Sequence, residues 1–176
     1  MERILIVVDM QRDFVDGKLG TKEAVGIVDN VASKIQGFDG RIFVTLDTHH
    51  PDYLDTSEGK KLPVPHCIKD SEGWLLDEKV SDALEGKDYR IIEKGTFGSI
   101  RLPEEIAGLV KKEEVEIELV GLCTDICVVS NALLLKAHFP EACISVDASC
   151  CAGVTPKTHE AALETMRMCQ IDIVGA

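Results

Sequence analysis

The chain has 176 residues, enough for one domain with a substantial core and too few for two ordinary domains joined by a linker. A hydrophobic share of 45% beside a charged share of 28% is the composition of a folded globular protein and excludes a disordered chain. Nineteen Lys and Arg against 31 Asp and Glu leave a formal net charge of -12, which repels phosphate backbones and anionic lipid, so neither nucleic acid nor a membrane surface is an expected partner.

In chain order, the apolar run at residues 4–8 reads as a strand that delivers Asp9 at its end. Before it, Met1-Glu2-Arg3 shows no signal-type segment, and no apolar run nears the roughly 20 residues of a membrane span, so a cytoplasmic location is expected. Apolar residues at 24, 25, 27, 28, 31, 32 and 35 mark an amphipathic helix over 24–35. A second strand at 42–46 runs into Asp47 and His49. Residues 48–75 break the pattern with three prolines (Pro51, Pro63, Pro65) and two glycines (Gly59, Gly73), a long connection of the kind that is usually functional. A third strand at 89–93 ends at Lys94, and Pro103 opens a helix expected to end near Lys112. The fourth strand, 115–120, leads into Gly121-Leu122-Cys123-Thr124-Asp125-Ile126-Cys127-Val128. Strands at 142–146 and 171–174 flank a helix that Thr155-Pro156 starts and that ends near Met168.

Continuous apolar strands alternating with helices predict an α/β fold: a doubly wound three-layer sandwich with a mainly parallel sheet of about six strands, residues 1–176 forming a single domain. Ligands of such sheets bind beyond the carboxyl ends of the strands, where Asp9, Asp47, Lys94 and Cys127 all fall. The seven cysteines (67, 123, 127, 143, 150, 151 and 169) form no secreted-type framework and are expected as reduced thiols, with Cys143 and Cys169 as small buried hydrophobes.

Two constellations carry chemistry. A helix beginning near Asp125 would aim its positive end at the Cys127 sulfur and lower its pKa, while Asp9 takes the thiol proton and Lys94 pairs with the thiolate. The same three residues also fit a turn cap, a solvated lysine and a core thiol. Asp47-x-His49 puts both side chains on one side of an extended segment, and His66 from the long loop would complete a facial ligand set for Zn²⁺, Fe²⁺ or Mn²⁺. Glu58 offers a further carboxylate, His50 should point away, and Asp52 is expected to orient a ligand from outside the set. Two loop histidines that merely satisfy hydrogen bonds are the plainer alternative. Phe14, Leu19 and Phe97 are candidates for the wall of a pocket for a flat substrate, with Trp74 assigned to the core. Gly95, Gly98 and Gly121 suit turns and close backbone approach.

The motifs Asp9-Met10-Gln11-x-Asp13-Phe14, Asp47-Thr48-His49, Pro65-His66-Cys67, Lys94-Gly95-Thr96-Phe97-Gly98-Ser99 and Gly121-x-x-Thr124-Asp125-x-Cys127-Val128 together resemble the isochorismatase-like cysteine hydrolases, nicotinamidases in particular. The resemblance spans nearly the whole chain. It implies a catalytic triad of Asp9, Lys94 and Cys127, and a non-proline cis peptide at Leu122-Cys123 that holds the Cys123 and Cys127 backbone N–H groups as an oxyanion hole. It also implies a divalent metal at Asp47, His49 and His66, zinc ahead of iron or manganese, and a homodimer or homotetramer. The expected activity is hydrolysis of nicotinamide to nicotinate and ammonia through a Cys127 thioester. The chain departs from the pattern at Leu62, Pro63, Val64 and Pro65, where many nicotinamidases carry an aromatic residue that stacks on the pyridine ring, and at Asp70-Ser71, where Gly-Thr is familiar. Two alternatives follow: a hydrolase of another small amide or carbamoyl compound with the same triad, and a catalytically silent binding module.

Overall fold

The computed structural model describes residues 2–110 and 114–176. In chain order the elements are β1 (Glu2–Val8), α1 (Arg12–Val15), α2 (Lys22–Gly37), β2 (Arg41–Asp47), α3 (Ser57–Lys61), α4 (Glu78–Leu84), β3 (Tyr89–Lys94), α5 (Arg101–Ala107), β4 (Val115–Leu122), α6 (Val129–His138), β5 (Cys143–Ala152), α7 (Pro156–Met168) and β6 (Asp172–Val174). The six strands form one parallel sheet in the order β3-β2-β1-β4-β5-β6.

The strand period of two divides β1 between two cores. Ile4, Ile6 and Val8 join Leu102 and Ile106 of α5, Ala132 and Leu135 of α6, and Leu163 and Met166 of α7 on one face. Leu5 and Val7 pack on the other face with Val28, Val31 and Ile35 of α2 and Val80 and Leu84 of α4. These two faces make the doubly wound, three-layer architecture expected from the alternation of strands and helices. The chain winds outward from β1 to β3, then restarts at β4 and winds the other way. The reversal falls between β1 and β4, so a crevice opens there at the carboxyl ends. Gly121 makes this closeness tolerable. Its φ is +119°, and any side chain there would run into the Val8 carbonyl of the neighbouring strand.

Several boundaries differ from the sequence reading. The fifth strand continues past Val146 to Ala152 because Lys34 of α2 meets Asp147 at 2.7 Å, and Asp147 also accepts from Ser149, so polar residues are satisfied inside the sheet layer. Its ladder with β4 is irregular between Leu119 and Gly121. The helix expected from Pro103 begins at Arg101 and stops at Ala107, and its predicted end at Lys112 lies outside the described residues. Cys143 and Cys169 are exposed rather than buried, because the first lies at the start of β5 and the second just past the end of α7. At Gly95 a side chain would meet only the Thr48 carbonyl, at an ordinary 3.9 Å, so close approach does not explain it. The long 48–75 connection is ordered by short helical turns and by a backbone bridge in which the His49 N–H donates to the Cys67 carbonyl at 2.9 Å and the Lys69 N–H to the His49 carbonyl at 2.9 Å.

Candidate active site

Four strand ends place the polar groups. Asp9 follows β1 in the left-handed region, φ +46°, a conformation that aspartate tolerates better than most residues. Strand pairing sets Val8 against Thr45, and the Thr45 hydroxyl donates to Asp9 Oδ1 at 2.6 Å. Asp47 and Lys94 are register partners at the ends of β2 and β3. Lys94 Nζ lies 2.6 Å from Asp9 Oδ2, 3.5 Å from Asp47 Oδ1 and 3.4 Å from Cys127 Sγ, and also donates to the Thr96 carbonyl at 3.1 Å. Asp9, Lys94 and Cys127 are all buried.

Cys127 sits in one π-helical turn, Thr124–Val128, in which the Ile126 and Val128 N–H groups both donate to the Cys123 carbonyl. Such turns are rare and favour functional positions. The Leu122-Cys123 peptide that precedes the turn is cis. The expected lowering of the thiol pKa is reversed. Burial raises the Cys127 thiol well above its ordinary value, the facing Asp9 charge adds to this, and Lys94 opposes it. Burial likewise raises the Asp9 carboxyl, against the pull of Lys94. Burial alone would strip the Lys94 proton, but Asp9, Cys127 and Asp47 outweigh it and keep the ammonium charged. The resting arrangement is thus a thiol beside a carboxylate whose affinity for a proton exceeds that of an ordinary one.

The second cluster adjoins the first through Asp47. His49 Nε2 is 3.0 Å from Asp47 Oδ2 and 3.6 Å from Glu58 Oε1, and His66 Nε2 is 3.5 and 3.7 Å from the same two oxygens. The ligating atoms of the four residues all lie within 4.8 Å of one another. Two imidazole nitrogens and two carboxylate oxygens so converged, with three of the residues buried, fit a divalent ion of the Zn²⁺, Fe²⁺ or Mn²⁺ type. Burial opposes ionisation of Asp47, but His49, His66 and Lys94 hold it well below the usual carboxylate range. Burial and the Asp47 charge raise Glu58.

Sequence reasoning missed the groups that hold this cluster. The Gln11 side chain clasps the main chain of Asp47, accepting its N–H and donating to its carbonyl, both at 2.8 Å, and donates to the Trp74 carbonyl at 2.9 Å. Asp13 accepts the Cys67 N–H at 2.8 Å, pinning the residue after His66, and His66 Nδ1 contacts the Val64 carbonyl at 2.7 Å. Tyr53 packs edge-on against both imidazoles and donates to the Leu62 carbonyl. The orienting part expected of Asp52 falls to these groups; Asp52 is exposed, as is His50. Only the Gln11 and Asp13 positions carried a signal, as polar residues inside the Asp9 to Phe14 motif.

A cavity of about 270 Å³ joins the clusters. Asp47, Glu58, His66 and Cys127 are among its polar lining groups, with Thr21 and Cys123, while Phe14, Leu19, Leu62, Phe97, Ile126 and Val154 supply apolar walls. Phe14 meets the His66 ring edge-on at 5.4 Å. Phe14, Leu19 and Phe97 face the cavity; Ile126 and Val154 carried no sequence signal. Trp74 lies outside the lining and donates to the Thr48 hydroxyl at 2.9 Å.

The isochorismatase domain family matches residues 3–175. This chain belongs to that family. Among isochorismatase-family relatives, the nicotinamidase/pyrazinamidase of Mycobacterium tuberculosis is 27% identical, with 98% of each chain covered. The nicotinamidase of Saccharomyces cerevisiae is 24% identical over 74% of this chain and 80% of its own. The crystal structure of the nicotinamidase/pyrazinamidase from Bacillus subtilis superposes with a TM-score of 0.82 at 25% identity, covering 99% of this chain and all of that one. The pyrazinamidase of Pyrococcus horikoshii, solved in complex with zinc, superposes with a TM-score of 0.79 at 26% identity, with both chains covered in full.

Proposed function

We propose that this member of the isochorismatase family is a nicotinamidase-type amidohydrolase that releases ammonia from nicotinamide through Cys127. The observation that carries the reading is the buried Asp9, Lys94 and Cys127 contact, whose sulfur opens on the same small cavity as Asp47, Glu58 and His66. The amide enters with its carbonyl carbon over Cys127 and its ring between the apolar walls. Asp9 takes the thiol proton as Sγ attacks, and Lys94 compensates the charge passing between them. The developing oxyanion faces the backbone N–H groups of Cys123 and Cys127. Asp9 returns its proton to the nitrogen, the C–N bond breaks, and ammonia leaves a Cys127 thioester. Asp9 then draws a proton from water, the hydroxyl adds to the thioester carbon, and the thiol is restored as the carboxylate departs. Asp47, His49, His66 and Glu58 would hold a divalent ion, zinc foremost, which when bound supplies a Lewis acid at the ring-binding end of the cavity. Kinship to relatives named nicotinamidase and pyrazinamidase supports the reading.

The test is ammonia release from nicotinamide by zinc-loaded protein, beside pyrazinamide and aliphatic amides. Cys127→Ala is expected to lose turnover by at least roughly 1,000-fold; wild-type turnover in that variant would sink the mechanism. Leu62 favours a second reading, a small non-aromatic amide. It lines the cavity with an aliphatic side chain where an aromatic residue would stack on a ring, and preference for aliphatic amides in the same panel would select that reading.

A further inference from the structure

We infer that Asn131 is a positioning residue for this reaction, fixing the main chain of Cys127 against the loop that carries Lys94 and Phe97; the inference rests on the proposed activity only for its kinetic readout. Asn131 lies in α6, one helical turn beyond Cys127, and is fully buried. Its Nδ2 donates to the Cys127 carbonyl at 2.8 Å and to the Phe97 carbonyl at 3.2 Å, while its Oδ1 accepts the Ser99 N–H at 2.9 Å. Both amide protons and the oxygen are therefore engaged, and all three partners are backbone groups.

These bonds close a circuit. At the front of the site Lys94 Nζ reaches Cys127 Sγ and the Thr96 carbonyl. Behind it Asn131 ties the same loop, at Phe97 and Ser99, to the residue that bears the sulfur. Gly98 faces α6 here, where a side chain would press on the Leu134 methyl at 2.7 Å and touch Ser130 at 3.4 Å. Ser99 then accepts the Leu102 N–H through its hydroxyl, at the start of α5. A shift of this loop would displace the ammonium and the Phe97 wall together relative to the sulfur, and near-attack geometry is steep in distance. An apolar side chain of similar size would leave the Ser99 N–H and the Phe97 and Cys127 carbonyls without these bonds.

The test compares Asn131→Ala, Asn131→Thr and, as a control for lost packing on the opposite face of the sheet, Leu84→Ala in α4. Read-outs are kcat and KM for nicotinamide, Tm, and the rate at which iodoacetamide alkylates Cys127. Asn131→Ala is expected to lower kcat by roughly 10- to 100-fold, raise KM through Phe97, and change the alkylation rate several-fold. A threonine hydroxyl reaches the carbonyl one turn back, so Asn131→Thr should recover kcat more than KM. Leu84→Ala should lose comparable Tm and keep kcat, KM and alkylation within about twofold. Overturning results are an Asn131→Ala protein that matches Leu84→Ala in all of these, or an Asn131→Thr protein no better than Asn131→Ala. Should the wild type release ammonia from no amide tested, the proposed activity fails by itself, and the alkylation rates alone decide the part played by Asn131. Should Asn131→Ala not fold, Asn131→Thr against wild type carries the comparison.

Discussion

Lys94 keeps its charge in a place where burial alone would remove it, and the surrounding anionic groups explain why. Two carboxylates face one ammonium beside the thiol, so removing the Lys94 charge would leave both carboxylates uncompensated in a buried site. The supporting residues are held as tightly. Gln11→Leu would strand the N–H and carbonyl of Asp47, at a loss of about 2–4 kcal/mol, and should also lower zinc retention after gel filtration. Normal zinc content and an unchanged unfolding midpoint would show that Gln11 does not hold Asp47. Asp147, buried between Lys34 and Ser149, gives a pH-dependent test. Burial raises its pKa, but Lys34 and Ser149 outweigh burial and depress it in the folded state. Its contribution is therefore present above the unfolded carboxyl pKa of about 4 and is lost as pH falls through the lower folded value. The Tm difference between wild type and Asp147→Asn should be constant near neutrality and shrink below about pH 4; a difference that widens in acid would contradict this sign. Little of this was legible beforehand. The residue types of the Asp9, Lys94 and Cys127 set were visible at strand ends, but the direction of the Cys127 shift depends on burial, which a single sequence does not display.

The elements convert these contacts into fixed geometry. Strand ladders bring Thr45 under Asp9 and Asp47 beside Lys94, and the π-turn after β4 faces the sulfur toward the same point. Gly121 is the tightest of these joints. Gly121→Ala would force both a positive φ and a collision with Val8, losing about 2–3 kcal/mol, and circular dichroism in urea against wild type measures it. An unaltered midpoint would mean that β4 can shift away from β1 freely. Strand positions were readable because β1 and β2 are apolar on both faces and β4 alternates apolar residues with Glu116 and Glu118, and the start of α7 because Thr155 caps it and Pro156 opens it, with Thr158 completing a capping box. The later part of β5 was not, since its polar residues are neutralised by Lys34, which lies far away in sequence. Neither was the Asn131 clasp, whose three backbone partners meet only after β3 and β4 take their places.

For the molecule as a whole, one sheet with its winding reversed between β1 and β4 supplies both halves of the site from a single crevice. The four-residue donor set spans the end of β2 and the long loop, so an ion bound there would tie that loop to the sheet. Zinc at about 100 times its Kd should stabilise the fold by about 2.7 kcal/mol, seen as a rise in Tm that EDTA reverses and that Asp47→Ala abolishes. A Tm indifferent to zinc and to EDTA would remove the ion from this account. The sheet order also governs when the protein becomes reactive during its synthesis. Asp9, Asp47 and Lys94 emerge from the ribosome before the sulfur does, and β4 must pair with β1 before the ammonium can touch it. The nascent chain therefore carries an incomplete reaction centre until β4 and the turn after it have joined the sheet.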